Sequence, residues 1–248
     1  MEPRMAATAK RALALIILMG AFAVQAAEIV VFSGGGFAAA MGELGPAFES
    51  ATGHKVATIF GSNDALERRI KAGERFDVLL IGTPTYGLLG DRIALAPRVV
   101  VGRAGLGVAV RAGAARPDIG SPDALRRTLL AVSSVSFVGD GLSGVLLAGL
   151  IERLGIGEAM KPKLKPTAVA NVAKAVANGE AELVVHVMPG ILAEPGVQLL
   201  GPVPGDLQSY IDLTAGLSAA AREPEAAKSF IAFLSSEAGV RLIRGKGW

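Results

Sequence analysis

The 248-residue sequence contains no cysteine, and it has only one Trp, two Tyr and two His. Without cysteine the chain cannot form disulfides, so its stability must come from a hydrophobic core, which a chain of this length can build. The thiol that a lipid anchor would require is also missing. The protein must therefore fold by packing alone, and we expect it to be free in its compartment.

The scarcity of metal-ligating and aromatic residues argues against two further classes of function, metal binding and nucleic-acid binding. His54 and His186 are far apart in the sequence, no H-x-x-x-H motif is present, and cysteine ligands are lacking, so we expect no metal and no other cofactor. Basic tracts interleaved with aromatic residues are also missing. This composition argues against a nucleic-acid partner.

The first 27 residues differ from the rest of the chain. Three basic residues precede the apolar run ALALIILMGAFAV, and the small residues VQAA follow it. This order is typical of a secretory signal peptide, and the apolar run is shorter than the roughly 20 residues of a membrane-spanning helix. We predict a signal peptide at residues 1–27, cleaved after Ala26 or Ala27; an uncleaved anchor is the less favoured alternative.

Removal of this peptide lowers the formal net charge from +3 to about +1, because three basic residues and Glu2 leave with it. The high isoelectric point of about 9.3 therefore reflects the signal peptide in part. A cysteine-free, exported and unanchored protein points to the periplasm of a bacterium with two membranes.

The segment after the signal peptide alternates predicted strands and helices. EIVVF, HKVATIFG and FDVLLIG are apolar on both faces, and amphipathic segments separate them. Such strands pair in parallel, with helices in right-handed crossovers. We expect Pro46 to kink or break the first helix, and Ser62 or Asn63 to cap the second.

The pattern changes after the third strand. PRVVVGR and LGVAVRAG predict two strands, and a helix at SPDALRRTLLA, a strand at VSFVG and a helix at GLSGVLLAGLIERLGI follow. Next come the basic loop KPKLKP, a helix at ANVAKAVANGE, the strand AELVVHV and two terminal helices in PEAAKSFIAFLSSEAGVRLI. This change predicts an α/β protein of two lobes with a ligand cleft between them.

The loop VFSGGGFAAA places Ser33 and three consecutive glycines, Gly34, Gly35 and Gly36, between the first strand and its helix. Bare amides at a helix N-terminus attract an anion, so we predict that these four residues contact a ligand. A tight turn that needs glycine for its backbone is the alternative. The loop also fits the dinucleotide pattern G-x-G-x-x-A, but no acidic residue ends the next strand to bind a ribose.

Five polar side chains elsewhere are further candidates for contact with a ligand. Ser62 and Asn63 follow the second strand, Thr83 follows the third, Ser143 opens a helix, and His186 lies in an apolar strand. Each has a structural alternative, which is helix capping, turn formation or hydrogen bonding inside the core. Ser143 does not fit a nucleophile elbow, because the G-x-S-x-G spacing is broken around it.

Several stretches, taken in order, resemble a known family. They are VFSGGGFAAAMGELGPAFESATGHKV, GSNDALERRI, FDVLLI, GLSGVLLAGLIERLGI and PEAAKSFIAFLSS. Over nearly the whole mature chain they resemble the periplasmic molybdate-binding proteins of ABC transporters and their solute-binding relatives. The resemblance implies the two-lobed α/β fold of type II periplasmic binding proteins, with lobe I at 28–104 plus 205–248 and lobe II at 105–204.

In that family, hydroxyls and main-chain N–H groups at helix N-termini hold the oxyanion. This sequence departs from the pattern: Gly36 stands where the family has a serine, Asp64 falls in the second serine loop, and His186 or Val187 replaces a tyrosine. A carboxylate at Asp64 would repel an anion if it faced the cleft. The ligand therefore stays open between oxyanions such as molybdate or tungstate and small organic acids.

The resemblance predicts a monomeric periplasmic binding protein, not an enzyme, that captures a small anion for an ABC transporter permease in the inner membrane. Two rivals stay open. One is an exported α/β enzyme that uses the glycine loop for a nucleotide and would be stabilised by it. The other is a sensory or chaperone-like pair of lobes that has lost ligand binding.

Overall fold

A computed structural model describes residues 26–248, so the predicted signal peptide lies outside the described residues except for its last two positions. The strands are β1 Glu28–Gly34, β2 Lys55–Gly61, β3 Val78–Gly82, β4 Ile93–Arg111, β5 Val135–Val138, β6 Leu164–Thr167, β7 Leu183–Val187, β8 Val197–Pro202 and β9 Tyr210–Ser218. The α-helices are α1 Ala38–Thr52, α2 Asn63–Lys71, α3 Thr83–Tyr86, α4 Pro122–Ala131, α5 Leu142–Arg153, α6 Gly157–Met160, α7 Lys174–Ala177, α8 Met188–Leu192, α9 Pro224–Leu234 and α10 Glu237–Gly245.

The strands form one nine-stranded sheet in the order β2-β1-β3-β9-β4-β7-β5-β6, with β8 also paired to β4. We call β2, β1, β3, β9 and residues 93–105 of β4 the first section, and residues 106–111 of β4 with β5 to β8 the second section. β1 pairs in parallel with β2 and β3, as predicted, and β9 is antiparallel to β3 and β4. The division of the chain into lobes at the predicted residues stays a prediction.

The two strands predicted at PRVVVGR and LGVAVRAG are one strand, β4, of 19 residues. Ala104 and Gly105, which separate the two predicted runs, pair with Ile211 and Tyr210 of β9. Because a neighbouring strand continues alongside them, the chain passes from one section to the other without a turn. The long strand thus connects the two halves of the molecule.

The second section differs from the prediction in its small elements. The predicted basic loop KPKLKP contains a 3-10 turn at Lys161–Lys163 and leads into the edge strand β6. The helix predicted at ANVAKAVANGE is reduced to a 3-10 turn at Val169–Asn171 and the single turn of α7. Neither β8 nor β9 was predicted. β8 lacks a clear period of two, whereas in β9 Ile211, Leu213, Ala215 and Leu217 alternate with polar residues or glycine, a strand signal that the prediction overlooked.

Helix α1 continues through Pro46 to Thr52, so the predicted break is wrong, whereas the alternative of a kink stays a prediction. Pro46 lies on the exposed face, where the carbonyl freed at Gly42 can meet water, while Leu44 and Phe48 on the buried face pack in the core. Gly53, with φ of 78°, then ends the helix. Core packing thus outweighs the local cost of the proline.

Four apolar clusters, two in each section, and a side-chain clamp position the sections. Phe48 and Phe230 pack between the first section and its helices, and Leu125 and Leu147 belong to one cluster of the second. Gln208, between β8 and β9, donates from Nε2 to Leu106 O and accepts at Oε1 from Leu106 N, both at 2.9 Å. This clamp ties the two connections between the sections to each other.

Candidate ligand-binding site

A cavity of about 60 Å³, here called the inner cavity, lies between the two sections. The first section contributes the ends of β1, β2 and β3, and the second contributes the start of α5 and the end of β7. Ligands of parallel sheets bind outside the carboxyl ends of the strands, which is where this cavity lies. Its apolar walls are Phe37, Val138, Leu142, Val169, Val187, Ile211 and Leu213.

The glycine loop forms one wall of the inner cavity. Gly34 ends β1 with φ −58° and ψ 135°, and neither Gly35 nor Gly36 has a positive φ. The alternative explanation, a turn that only glycine can adopt, therefore loses its support. The glycines instead permit close approach, since a Cβ on Gly35 would lie 2.7 Å from Cγ1 of Val169 in the opposite section.

Ser62 and Asn63 both cap or brace α2 and line the inner cavity. Ser62 Oγ accepts from Ala65 N at 3.2 Å, as predicted for an N-cap, and donates to Asp140 Oδ2 at 3.1 Å. Asn63 Nδ2 donates to Thr85 Oγ1 at 3.1 Å. The two explanations weighed for these residues, capping and exposure to a ligand, are therefore compatible.

Ser143 and His186 form a hydrogen-bonded pair on the opposite wall. Ser143 Oγ lies 3.1 Å from His186 Nδ1, and both side chains are buried. His186 Nε2 is buried and has no hydrogen-bond partner in the described residues. Burial lowers the pKa of His186 to about 4, so the ring is neutral at pH 7. A neutral ring offers one donor and one acceptor nitrogen.

Seven of the nine predicted site residues line the inner cavity, and Ser33 and Thr83 do not. Ser33 is fully buried on β1, and its Oγ donates to Gly34 O at 3.4 Å. Thr83 is exposed, and its Oγ1 shares a hydrogen bond of 2.6 Å with Thr214 Oγ1. The structure therefore does not bring these two side chains to the inner cavity, and their contact with a ligand stays an untested prediction. For the other seven, contact with a ligand stays a prediction.

The charge around the inner cavity is low. Among residues 26–248, no lysine or arginine side chain lines it, and no group of three or more His, Asp or Glu side chains could hold a metal ion. Asp64 is exposed on the first turn of α2 and is not a lining residue. Attraction for an anion must therefore come from N–H and O–H donors.

A model of the family described as bacterial extracellular solute-binding protein matches residues 29–248. The chain belongs to this family. Within the described residues of this solute-binding protein, no helix has the length and apolar character needed to cross a membrane.

Relatives of this solute-binding protein carry different names. It is 30% identical over 255 residues to the aconitate isomerase of a Pseudomonas species, covering the whole chain and 97% of that relative. It is 26% identical over 253 residues to the molybdate-binding protein ModA of Azotobacter vinelandii, covering 94% of this chain and 96% of the relative. The structure of the A. vinelandii periplasmic molybdate-binding protein superposes with a TM-score of 0.74 at 17% identity, over 88% of this chain and 97% of that one. The fold is thus that of a type II periplasmic binding protein, as predicted.

Two residues of this solute-binding protein's cleft were missed in the sequence. Trp248 lines the inner cavity, and its buried Nε1 has no hydrogen-bond partner in the described residues. Asp140 lies across the cleft from Ser62 and 4.0 Å from Arg68 Nη2. The scarcity of tryptophan was the one available signal for Trp248, whereas Asp140 carried none because its meeting with Ser62 depends on the tertiary fold.

Proposed function

We propose that this protein captures a small organic acid in the inner cavity and presents it, in the periplasm, to the permease of an ABC importer. The observation that carries the proposal is a pair of buried ring nitrogens on the cavity wall, His186 Nε2 and Trp248 Nε1, that lack partners in the described residues. Buried polar groups are almost always hydrogen-bonded, so a ligand with acceptor oxygens would satisfy them.

The donors are arranged on two sides of the inner cavity. The glycine loop and Asn63, whose Nδ2 uses one of its two N–H groups for Thr85, lie on one side, and Ser143 with His186 lies on the other. A carboxylate held between them would accept hydrogen bonds from both sections at once. Such a ligand stabilises the closed arrangement of the two sections only if it binds that arrangement more tightly than an open one.

The apolar walls favour an organic ligand over a tetrahedral inorganic oxyanion. A molybdate or sulfate ion presents oxygen in every direction, so it would leave oxygens facing Phe37, Leu142 and Ile211 without donors. A carboxylic acid places carbon against these side chains and oxygen against the N–H groups. The full-length similarity to a protein named aconitate isomerase supports the same ligand class.

Calorimetric titration of the mature protein with trans-aconitate, cis-aconitate, citrate, succinate, molybdate, tungstate and sulfate tests the proposal. We expect at least one carboxylate to bind in the micromolar range and the inorganic ions to bind at least 100-fold more weakly. Ser143→Ala should weaken carboxylate binding by roughly tenfold, because Ser143 Oγ donates to Nδ1 and so holds the neutral ring in the tautomer whose Nε2–H can donate to the carboxylate. Ser134→Ala is the matched control, because Ser134 is a buried serine that accepts from Glu182 N outside the cavity.

Tight binding of molybdate with no binding of carboxylates would contradict the organic-acid proposal and favour an inorganic oxyanion as the ligand. If the protein binds none of these anions, the proposed binding function is wrong. In that case a thermal-shift measurement with nucleotides tests the rival α/β enzyme, which predicts stabilisation by a nucleotide.

A second candidate function, isomerisation of an unsaturated acid, is favoured by the Ser143–His186 pair together with the named relative. In the tautomer in which Nδ1 donates to Ser143, Nε2 of the neutral His186 ring carries the lone pair that can accept a proton. A proton taken from the methylene group next to the double bond leaves its electron pair to form a new double bond, while a proton returns to the former alkene carbon. The reaction exchanges cis and trans isomers without gain or loss of atoms or electrons.

Proton NMR of cis-aconitate with the protein in D₂O tests this second function. Isomerisation should produce the trans isomer and introduce deuterium at the methylene carbon, and His186→Gln should abolish both changes. If cis-aconitate binds and stays unchanged over many hours, the protein acts as a binding protein only.

A further inference from the structure

A second cavity, here called the outer cavity, adjoins the inner one and has a volume of about 390 Å³. The two cavities share Gly35, Gly36, Gly61, Val169 and His186 as lining residues. The glycine loop and the His186 ring thus form the boundary between them. One elongated ligand would contact both cavities across this boundary.

The imidazole of His186 lies between the two cavities, and its two ring nitrogens have different neighbours. Nδ1 lies against Ser143, which lines the inner cavity. Nε2 lies on the side of Gly190, where an added Cβ would be only 2.6 Å from it, and Gly190 lines the outer cavity. The unpartnered Nε2 of this buried ring therefore packs against Gly190, a residue of the outer-cavity wall.

Lys174 contributes a cationic side chain to the outer cavity. It is exposed and belongs to none of the ion pairs within residues 26–248. Glu194, the acidic residue of the same wall, accepts at Oε1 from Gly196 N at 3.0 Å in its own loop. The wall thus carries one lysine with no ion-pair partner in the described residues and one carboxylate that binds a backbone N–H of its own loop.

The two cavities differ in volume and can therefore hold different parts of one ligand. A cavity needs at least roughly 10–15 Å³ to hold one water-sized group, and each such group takes about 30 Å³ in the liquid, so the inner cavity of about 60 Å³ holds only about two to four of them. A single carboxylate with one or two carbons fills it. A longer acid must extend past the glycine loop into the outer cavity, where Lys174 can meet a second anionic group.

We infer that the ligand is a di- or tricarboxylic acid, with one carboxylate in the inner cavity and a second beside Lys174 in the outer cavity. This inference rests on the proposed function, because it assumes an organic acid in the inner cavity. It adds Lys174 as a residue that selects acids with two separated anionic groups. The solvent-exposed position of Lys174 makes its contribution sensitive to salt.

Calorimetry with the tightest-binding carboxylate of the panel tests the inference in the mature protein. Lys174→Gln should weaken binding of that acid roughly threefold to tenfold at low salt, with a smaller effect at high salt. Lys161→Gln is the charge-matched control, because Lys161 pairs with Glu158 and lines neither cavity. It should leave the affinity within twofold of the wild type.

Two further variants test the use of the outer cavity independently of Lys174. Ala39→Leu places a larger side chain on its exposed wall and should weaken binding of the di- or tricarboxylate by at least tenfold. Glu194→Gln removes the neighbouring negative charge and should strengthen binding about twofold. Weaker binding in Glu194→Gln would overturn the inference in favour of an acid that carries an amino group.

The outcomes separate this inference from the proposed function. If the wild type binds no carboxylate, the proposed function fails and the inference fails with it. If the wild type binds a carboxylate but Lys174→Gln and Ala39→Leu bind it equally well, only the outer-cavity inference is overturned.

Discussion

Ser62 Oγ donates a hydrogen bond to Asp140 Oδ2 at 3.1 Å, and this bond connects the two sections across the cleft. Arg68 Nη2 lies 4.0 Å from the same carboxylate oxygen. The Asp140 side chain is about half exposed, at 52%. A negative charge thus stands beside a cavity that we propose to bind an anion, and it holds the cleft closed through an acceptor oxygen.

Asp140→Asn should strengthen binding of a carboxylate ligand about twofold to threefold at low ionic strength. The amide oxygen still accepts from Ser62, whereas the repulsion between two negative charges is removed. The gain should disappear at high salt, because exposed charges are screened. Asp91→Asn, a change of the same charge at a fully exposed residue outside both cavities, should have no effect. Weaker binding in Asp140→Asn at every salt concentration would contradict this account.

Gly35→Ala should weaken ligand binding at least tenfold. Its Cβ would lie 2.7 Å from Val169 Cγ1, so the sections could not approach as closely as they do. Val169→Ala in the same chain should restore most of the affinity, because it removes the atom that collides. Gly42→Ala is the control, since an added Cβ there meets nothing within 4 Å. A Gly35→Ala protein with normal affinity would show that the close approach is not needed for binding.

Trp248 is the one tryptophan of the chain and lines the inner cavity, so its fluorescence reports on the site directly. Ligand binding should shift the emission and reduce quenching by acrylamide. Trp248→Phe keeps an aromatic ring beside Phe37, which lies 5.4 Å away between ring centroids, but removes the N–H donor. We expect roughly tenfold weaker binding by calorimetry, with little loss of stability. If calorimetry detects a bound ligand but the Trp248 emission stays unchanged, the ligand binds outside the inner cavity.

The pH dependence of stability should carry a contribution from His186. Burial lowers its pKa in the folded protein to about 4, from 6.5 in the unfolded chain. Between these values the unfolded state binds the proton more readily, so the free energy of unfolding falls as the pH is lowered through this window. The loss between pH 7 and pH 5 is roughly 2 kcal/mol.

Denaturant unfolding of the wild type and His186→Gln at pH 7 and pH 5 measures this contribution. The variant should lose less stability between the two pH values, by roughly 2 kcal/mol, whatever its stability at pH 7. Equal losses in both proteins would mean that the pKa of His186 in the folded protein is not lowered by burial. The comparison at pH 5 avoids most of the titration of the carboxylates, whose pKa values are lowered at Glu49, Glu74 and Asp212.

The strong local patterns of the sequence were sufficient to predict β1, β2 and β3 of the first section, but not β9. β1, β2 and β3 are apolar on both faces, and the N-cap serine of α2 is visible in the sequence. β6 and β8 were missed because they are short and polar or interrupted by glycine. Their pairing with β5 and β4 stabilises them, and that pairing is not encoded in their own residues.

The sequence alone determined the alternation of strands and helices, the cysteine-free core and a glycine loop at a helix N-terminus, because each depends on neighbours along the chain. Only the tertiary structure decided that Ser143 meets His186, that Asp140 meets Ser62 and that Trp248 faces the cavity. These partners are more than 40 residues apart or sit on different sections. Their meeting is fixed by the register of β4 and β9 and by the closure of the cleft, which no local pattern specifies.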